Sequence, residues 1–351
     1  MEFHHLLNDQ QFGFRPSRST SDAVSCFLKE LDAQLSKGNR TIGLFCDLTK
    51  AFDCVNHDIL LAKLPFYGIR GPKFENYFMN RVQIVKIGKV MSTKRNIEFG
   101  LVQGGINSPQ WYNLQGTYDI KYLPMNGEIK MFADDTAIIN IHKNLEVSIK
   151  NTQEDLIILQ KYFYNNSIFM NNLKTETMVI GNVHSRLNTY LKMKNKIKCH
   201  SRTCLEIETY KTKCNCPVID YKQDFRYLGV YIDYDFKFKT HVEIITKKLR
   251  MILYRLNKCY ANNVPMFIKR TIYYSLIESI LRYGVTLYSH CPAYVLNSLY
   301  SLQKKLMWKI FTEEPPYLLS LSKQILLENH FRNEKFRRRV PNPYKREICI
   351  S

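Results

Sequence analysis

Residues 129–141 read IKMFADDTAIINI and place Asp134 and Asp135 between two apolar stretches. Each stretch, 129–133 and 136–141, has the length of a β-strand, so the two aspartates occupy the tight turn between the strands. Adjacent carboxylates at the rim of an apolar hairpin are costly unless cations lie near them. The segment therefore predicts a β-hairpin that presents two acids to a cation, although an Asp-Asp pair is also common in ordinary turns.

A third acid, Asp47, lies near the end of another predicted strand. Residues 40–48 alternate in the manner of a strand, with Ile42 and Leu44 on one side. Two divalent ions roughly 3.5–4 Å apart can stabilise the attacking and leaving oxygens of phosphoryl transfer, and Mg²⁺ prefers carboxylate oxygens. If Asp47 meets the hairpin acids, the three carboxylates suit such a site; otherwise Asp47 is an ordinary strand-end residue.

The rest of the chain predicts a mixed α+β body followed by a helical region. Periodicity and capping residues predict helices that start near residues 19–22, 56 and 109, and a further one over 145–163. Residues 82–99 predict a hairpin with a basic turn, and 227–232 predict a strand. Three apolar stripes predict helices at 242–256, 268–283 and 296–311. The predicted domains are a body over 1–235 with an inserted loop at about 182–223, a helical region over 236–312, and a basic tail over 313–351.

Composition indicates a polyanionic partner. The chain has 351 residues, with 51 Lys and Arg against 31 Asp and Glu, a formal net charge of +20. Such an excess costs self-repulsion and favours nucleic acid first and an anionic membrane surface second; a merely solvated basic surface is the alternative. No run approaches the ~20 apolar residues of a membrane span. With no apolar leader, an intracellular location is expected, and the ten cysteines are expected to be free thiols.

Four motifs in order resemble one enzyme family. Residues 132–135 (FADD) resemble motif C of reverse transcriptases, and 47–53 (DLTKAFD) resemble motif A of the LINE-type, non-LTR retrotransposon enzymes. Residues 11–20 (QFGFRPSRST) resemble the block before motif A, and 225–232 (FRYLGVYI) resemble the primer-grip motif. The resemblance covers about residues 8–310.

The resemblance implies a right-hand polymerase palm with partial fingers, followed by a helical thumb. It implies RNA-directed DNA polymerase activity by two-metal nucleotidyl transfer, with an RNA template, a DNA primer and dNTPs as partners and no membrane. Asp47, Asp134 and Asp135 would bind Mg²⁺ or Mn²⁺ and carry catalysis. Action in the nucleus is also implied; the oligomeric state is left open.

Further roles follow from the same resemblance, each with a plainer alternative. Phe52 falls at the steric gate that rejects a ribose 2′-OH, or it is a core aromatic. Lys174, in a motif D-like segment, would protonate the leaving pyrophosphate or hold its charge, or it is an ordinary surface lysine. Gln103 and Gly104, in a motif B-like segment, would line the pocket for nucleotide and template.

Two pairs would contact the nucleic acid itself. Arg15 and Arg18 would contact the template or phosphates, with a solvated basic loop as the alternative. Leu228 and Gly229 would position the primer end, with a plain strand as the alternative.

The pattern departs from the family around motif B. Val102 stands where a proline is usual, and residues 105–116 are far more polar than a core helix should be. Loose packing at the site is expected there. The family's upstream fingers and endonuclease segments are also absent before residue 1, so the chain is expected to be a fragment. The alternative function is therefore an inactive retrotransposon-derived fragment that retains only nucleic-acid binding.

A second metal site is considered within the insert. His200, Cys204, Cys214 and Cys216 offer imidazole and thiolates, which zinc accepts tetrahedrally. The spacing is not that of a standard zinc knuckle, so free thiols in a loop are preferred to a zinc site.

Overall fold

The computed structural model describes residues 7–171, 173–181, 191–192, 218–219, 221–259, 264–288 and 291–311. Helices and strands are both well represented in these ranges, which confirms the α+β class. The described residues divide into two compact units. The first contains 7–23, 33–179 and the described residues from 191 to 222. The second contains 24–32, 180–181 and the described residues from 223 to 311.

The helices follow the predicted stripes. They are α1 (Thr20–Leu35), α2 (His57–Lys63), α3 (Pro72–Phe78), α4 (Ser108–Gly116), α5 (Leu145–Asn165), α6 (Lys239–Cys259), α7 (Met266–Ile272), α8 (Ser279–Arg282), α9 (Val285–Tyr288) and α10 (Ala293–Phe311). Helix α1 begins where capping chemistry predicts, because Asp22 Oδ2 accepts hydrogen bonds from the Ser19 amide (2.8 Å) and hydroxyl (2.7 Å). The apolar pattern did not reveal α3, nor the π-helical turn Tyr273–Glu278 between α7 and α8.

The strands are mostly short. They are β1 (Arg40–Cys46), β2 (Leu48–Thr49), β3 (Val82–Gln83), β4 (Lys86–Ile87), β5 (Val90–Met91), β6 (Arg95–Asn96), β7 (Glu128–Phe132), β8 (Asp135–His142), β9 (Phe169–Met170), β10 (Glu176–Ile180), β11 (Leu191–Lys192), β12 (Val218–Ile219), β13 (Tyr221–Lys222), β14 (Asp224–Tyr227) and β15 (Val230–Asp233). Strands β3 to β6 form the predicted basic hairpin, in which β3 pairs with β6 and β4 with β5.

A five-stranded sheet in the order β13-β10-β1-β8-β7 organises the first unit. Strands β1 and β8 pair antiparallel over seven positions, from Arg40 opposite His142 to Cys46 opposite Thr136. Residues 41–46 are all buried, so both faces of β1 are covered. Helix α5 packs on β1 and β8 and contributes apolar residues to the core. Because β1 and β8 are buried, their register is fixed, and the register determines which residues lie at the end of each strand.

One buried carboxylate ties α5 to the sheet. Asp155 is fully buried and accepts hydrogen bonds from the amides of Asn126 (2.8 Å) and Gly127 (2.9 Å) and from Asn140 Nδ2 (2.9 Å). Buried charges are tolerated when several donors satisfy them. Asp155 therefore locks the turn before β7 and the far end of β8 to the helix.

The second unit contains a small hairpin and the later helices. Strands β14 and β15 pair antiparallel, with Leu228 (φ 45°) and Gly229 (φ 87°) forming the turn between them. Two positive φ angles are typical of a two-residue hairpin turn, so the single strand predicted over 227–232 is wrong at its centre. The Tyr283 hydroxyl donates to the Leu228 carbonyl, and Phe27 of α1 lies 4.9 Å from the Tyr227 ring.

A membrane-spanning helix was not expected from the sequence. Within the described ranges, no helix combines the length and the apolar composition needed to cross a bilayer.

Replacing Asp155 by Asn should destabilise the fold. The new amide nitrogen would face the donors now satisfied by a carboxylate oxygen, so we expect a loss of about 2–3 kcal/mol. Urea denaturation followed by circular dichroism measures the change. The exposed acid Glu146 on the same helix provides the control, since Glu146→Ala should change the free energy of unfolding by less than about 0.5 kcal/mol. Equal stability of Asp155→Asn and the wild type would contradict the assignment.

Candidate active site

The end of β1 brings Asp47 to the β7–β8 turn. Asp47 is the residue that follows Cys46, and Cys46 is paired with Thr136 at the start of β8. The pKa of Asp134 is raised by burial of its carboxyl group and by the negative charge of Asp47, against the lowering effects of a backbone hydrogen bond and of Lys174. The register therefore brings Asp47 and Asp134 to the same end of the sheet, and the next residue, Asp135, is exposed, while their joint binding of a metal stays a prediction.

The turn that carries Asp134 has an unusual backbone. Ala133 has φ 56°, in the left-handed region that residues with a Cβ atom seldom occupy. The Gln11 side chain bonds to both polar groups of this residue: Oε1 accepts from the Ala133 amide (2.8 Å), and Nε2 donates to the Ala133 carbonyl (3.1 Å). A Cβ atom at Gly13 would lie 2.2 Å from the Ala133 nitrogen. Only glycine allows this close approach.

Lys174 reaches the acids from the loop after β9. Its Nζ lies 3.7 Å from Asp47 Oδ2, with 68% of the lysine side chain exposed. The Asn171 amide donates to the Asp47 carbonyl (2.8 Å), which holds this loop against the end of β1. Lys174 therefore lies close to Asp47, while its role at the leaving pyrophosphate stays a prediction.

Aromatic rings form a stack beside the acids. Phe52 is half-buried and stacks on Tyr112 at 4.9 Å with an interplanar angle of 18°, and Phe14 meets it edge-on at 5.8 Å. Burial raises the pKa of Tyr112, and the negative charges of Asp134 and Asp135 raise it further. Phe52 thus packs against a ring whose pKa is raised by the charges of Asp134 and Asp135. Because Phe52 stacks on the buried Tyr112 ring, it also has part of the character of a core aromatic, which is the alternative to a steric gate.

Gln103 and Gly104 lie on an exposed turn before α4. Gln103 Nε2 is 3.5 Å from Asp53 Oδ1, at the limit of a hydrogen bond, and Gly104 has φ 82°. The turn is closed behind them by Ser108 Oγ, which donates to the Val102 carbonyl (2.7 Å). Both residues are therefore available to a ligand.

Helix α4 corrects the expectation of loose packing around motif B. Its residues from Trp111 to Gly116 are all buried. Asn113 Nδ2 donates to the Gly13 carbonyl (3.1 Å), and Gln115 Nε2 donates to the Asn166 carbonyl (3.0 Å). The polar side chains are thus used to bind backbone groups of distant segments.

The hydrogen bonding of the buried polar groups of α4 is nevertheless incomplete. Within the described part of the chain, four buried atoms of α4 have no hydrogen-bond partner: Trp111 Nε1, Tyr112 Oη, Asn113 Oδ1 and Gln115 Oε1. Unpaired buried polar groups cost free energy, so α4 is well packed but not fully compensated.

Arg15 and Arg18 are used inside the chain. Only 6% of the Arg15 side chain and 17% of the Arg18 side chain are exposed. Arg15 Nη1 donates to the Asn8 carbonyl (2.7 Å), and Arg18 Nη1 donates to the Gln11 carbonyl (3.2 Å). They hold the loop that carries Gln11. Contact with a template stays a prediction for both.

The remaining predicted sites lie elsewhere. Leu228 and Gly229 belong to the second unit, and their role at a primer end is a prediction. The zinc candidates His200, Cys204, Cys214 and Cys216 lie outside the described residues, as does the predicted basic tail over 313–351. Sequence reasoning gave no role to Gln11, Gly13, Tyr112 or Asn113. For Gln11 and Gly13, the sequence signal that could have been used is a glycine flanked by two phenylalanines within residues 11–14.

The donor chemistry of the acids fits a hard divalent cation. Asp47 and Asp134 supply carboxylate oxygens, and the desolvated charge of Asp134 would be neutralised by such an ion. In the ranges that the structure covers, however, no three His, Cys, Asp or Glu side chains are already gathered into a ligand group. The structure therefore brings two acids together but does not present a preformed three-carboxylate site.

Comparison with known proteins gives consistent matches. Residues 1–232 match the family model described as "Reverse transcriptase (RNA-dependent DNA polymerase)". The chain is 22% identical over 335 residues to a probable RNA-directed DNA polymerase from transposon BS of Drosophila melanogaster, covering 91% of this chain and 34% of the relative. It is 24% identical over 310 residues to the RNA-directed DNA polymerase from mobile element jockey of Drosophila melanogaster, covering 86% and 31%. The chain thus spans about a third of the length of these relatives.

Solved structures that resemble the chain include two yeast telomerases. Apo telomerase from Candida tropicalis is 11% identical with a TM-score of 0.42, covering 91% of this chain and 55% of that one. Telomerase from Candida albicans in complex with a TWJ fragment of telomeric RNA is 13% identical with a TM-score of 0.37, covering 90% and 52%.

Replacing Asp134 by Asn should leave stability equal or higher at neutral pH without divalent ions. A carboxyl whose folded-state pKa is raised contributes stability that is lost as pH rises above the ordinary carboxyl range. The neutral amide avoids that loss, so its advantage should shrink as pH falls towards about 4. Urea midpoints at several pH values measure this, with the exposed Asp32→Asn as control. A lower midpoint for Asp134→Asn at pH 7.5 would refute the expectation.

Proposed function

Because the chain belongs to the reverse transcriptase (RNA-dependent DNA polymerase) family, we propose that it is the polymerase domain of a non-LTR retrotransposon. It would extend a DNA primer on an RNA template with dNTPs. The observation that carries the proposal is the register of β1 with β8, which places Asp47 and Asp134 at the same end of the sheet, with Lys174 Nζ 3.7 Å from Asp47 Oδ2. Similarity to the transposon BS and jockey polymerases supports the same assignment.

The proposed reaction is nucleotidyl transfer. The 3′-oxygen of the primer forms a bond to the α-phosphorus of the incoming dNTP, the bond to pyrophosphate breaks, and the 3′-hydroxyl proton leaves to solvent. Asp47, Asp134 and Asp135 would hold Mg²⁺ or Mn²⁺, which supplies positive charge to the oxygens flanking the phosphorus. Lys174, whose side chain is mostly exposed, would neutralise or protonate the departing pyrophosphate.

The nucleotide would bind against the exposed turn and the aromatic stack. Gly104 has no side chain and a positive φ, so its backbone can approach a ligand closely. Gln103 is exposed beside it. Phe52, supported from behind by the Tyr112 ring, would occupy the space that a ribose 2′-OH requires.

The charge of the chain suits these partners. A net charge of +20 attracts RNA and DNA backbones, and binding of this kind weakens as salt rises. Leu228 and Gly229 would position the primer end, and Arg15 and Arg18 would stiffen the neighbouring loop or meet phosphates. Action inside the cell, on chromosomal DNA in the nucleus, belongs to the proposal.

An inactive, nucleic-acid-binding remnant is the second candidate. It is favoured by the four buried polar atoms of α4 that have no hydrogen-bond partner within the described ranges. Such a chain would still bind polyanions through its charge. Polymerase activity decides between the two.

Primer extension on poly(rA)/oligo(dT) with Mg²⁺ or Mn²⁺ tests the proposal. We expect the wild type to extend the primer and Asp134→Asn to lose roughly 100-fold or more in rate, because an interaction with transition-state charge is removed. The same variant is expected to be as stable as the wild type, so unfolding would not explain the loss. Asp32→Asn should extend normally. No extension by the wild type, together with salt-dependent duplex binding, would select the inactive candidate.

Replacing Phe52 by Val should relax sugar discrimination. Removal of the ring opens space for the 2′-OH, so the ratio of dNTP to rNTP incorporation should fall by about tenfold or more. Single-nucleotide incorporation with dTTP and UTP measures that ratio. The matched control is Phe66→Val, which removes a largely exposed ring. An unchanged ratio in an active Phe52→Val enzyme would remove Phe52 from the gate.

A further inference from the structure

Gln11 has a buried polar side chain that forms hydrogen bonds with the β7–β8 turn, which carries Asp134. It is fully buried. Its Oε1 accepts from the amides of Gly13 (2.7 Å) and Ala133 (2.8 Å), and its Nε2 donates to the Ala133 carbonyl (3.1 Å). One side chain therefore binds both backbone groups of the residue immediately before Asp134.

The bonded turn needs such support. An alanine in the left-handed region is disfavoured, because its Cβ atom crowds the backbone. A strained residue persists only where its surroundings hold it in place. The hydrogen bonds from Gln11 stabilise the Ala133 conformation, and that conformation sets the direction in which Asp134 leaves the hairpin.

Gln11 is itself held rigidly. Its amide donates to the Asn8 carbonyl (2.9 Å), and its carbonyl accepts from Arg18 Nη1 (3.2 Å). On either side of it, the Phe12 amide donates to the Met131 carbonyl and the Met131 amide donates to the Gln10 carbonyl, both at 2.8 Å. The loop thus joins the edge of β7 as a parallel bridge. A fixed backbone lets the side chain transmit its position to the turn.

We propose that Gln11 is a positioning residue for nucleotidyl transfer, which fixes the β7–β8 turn so that Asp134 faces Asp47. The proposal rests on the polymerase function proposed above. Gln11 touches no reacting atom; it acts through Ala133. Gly13 belongs to the same device, since its missing Cβ atom allows the loop to lie against the Ala133 nitrogen.

The test compares Gln11→Met with Asp155→Asn in the full chain. Methionine keeps the length of the side chain but removes its three hydrogen bonds. Asp155→Asn removes buried hydrogen bonds at the opposite end of β8, away from the acids. The two variants therefore separate a general loss of stability from a displaced turn.

We expect kcat of Gln11→Met to fall by about 10–100-fold with KM for the template–primer within about threefold, because small misplacements act on the chemical step. The Mg²⁺ concentration for half-maximal rate should rise, while Asp155→Asn should keep it unchanged. Hydrogen exchange of peptides covering 129–137 should be faster in Gln11→Met than in Asp155→Asn. This exchange measurement does not depend on polymerase activity, so the turn is tested even if the wild type does not polymerise.

Two results would overturn the proposal. One is a Gln11→Met enzyme whose kcat loss and Mg²⁺ dependence match those of Asp155→Asn, which would reduce Gln11 to a stability role. The other is unchanged exchange in 129–137, which would show that the side chain does not hold the turn. An inactive wild type with faster exchange in Gln11→Met would instead refute the polymerase function and leave the turn contact standing.

Discussion

The antiparallel pairing of β1 with β8 is the interaction on which the candidate site depends. Asp47 follows one strand and Asp134 precedes the other, so the register that sets Cys46 opposite Thr136 also sets the separation of the two acids. A slip of one residue would turn the side chains to the opposite face. The register is held by burial, since residues 41–46 and 136–140 are all buried. Apolar packing of the sheet therefore offsets the repulsion between carboxylates at its edge.

Segments far apart in sequence complete what the sheet begins. The Gln11 loop lies against β7, and α4 reaches the same loop through Asn113 and the Gly13 carbonyl. Arg15 and Arg18 close the loop by binding its own carbonyl groups. In this arrangement Arg15 and Arg18 serve the architecture first. The excess positive charge that could meet a nucleic acid must then come from other, more exposed residues.

The local sequence pattern predicted the β7–β8 hairpin, β1, α1 and α5, because residues close together in sequence determine their apolar periodicity and their caps. It predicted a helix from residue 109 but not the burial of α4, whose polar side chains are explained by carbonyl groups about 50 and 100 residues away in sequence. It also failed at Leu228, since a leucine with positive φ is not expected from local preferences. The nearness of Lys174 to Asp47 came from family resemblance and not from periodicity. Tertiary contacts, which no local pattern records, account for each of these cases.

Several energetic costs remain around the acids in the first unit. Asp134 is desolvated beside another negative charge, Ala133 is strained, and the buried Tyr112 hydroxyl has no partner within the described residues. A fold selected for stability alone would relieve each of these, whereas functional sites commonly retain them. Positive charge placed at Asp47 and Asp134 would relieve the first of these three. The register of β1 with β8 places Asp47 and Asp134 at one end of the sheet before any cation binds, so a cation would neutralise these two charges and would still have to draw in Asp135 as a third ligand.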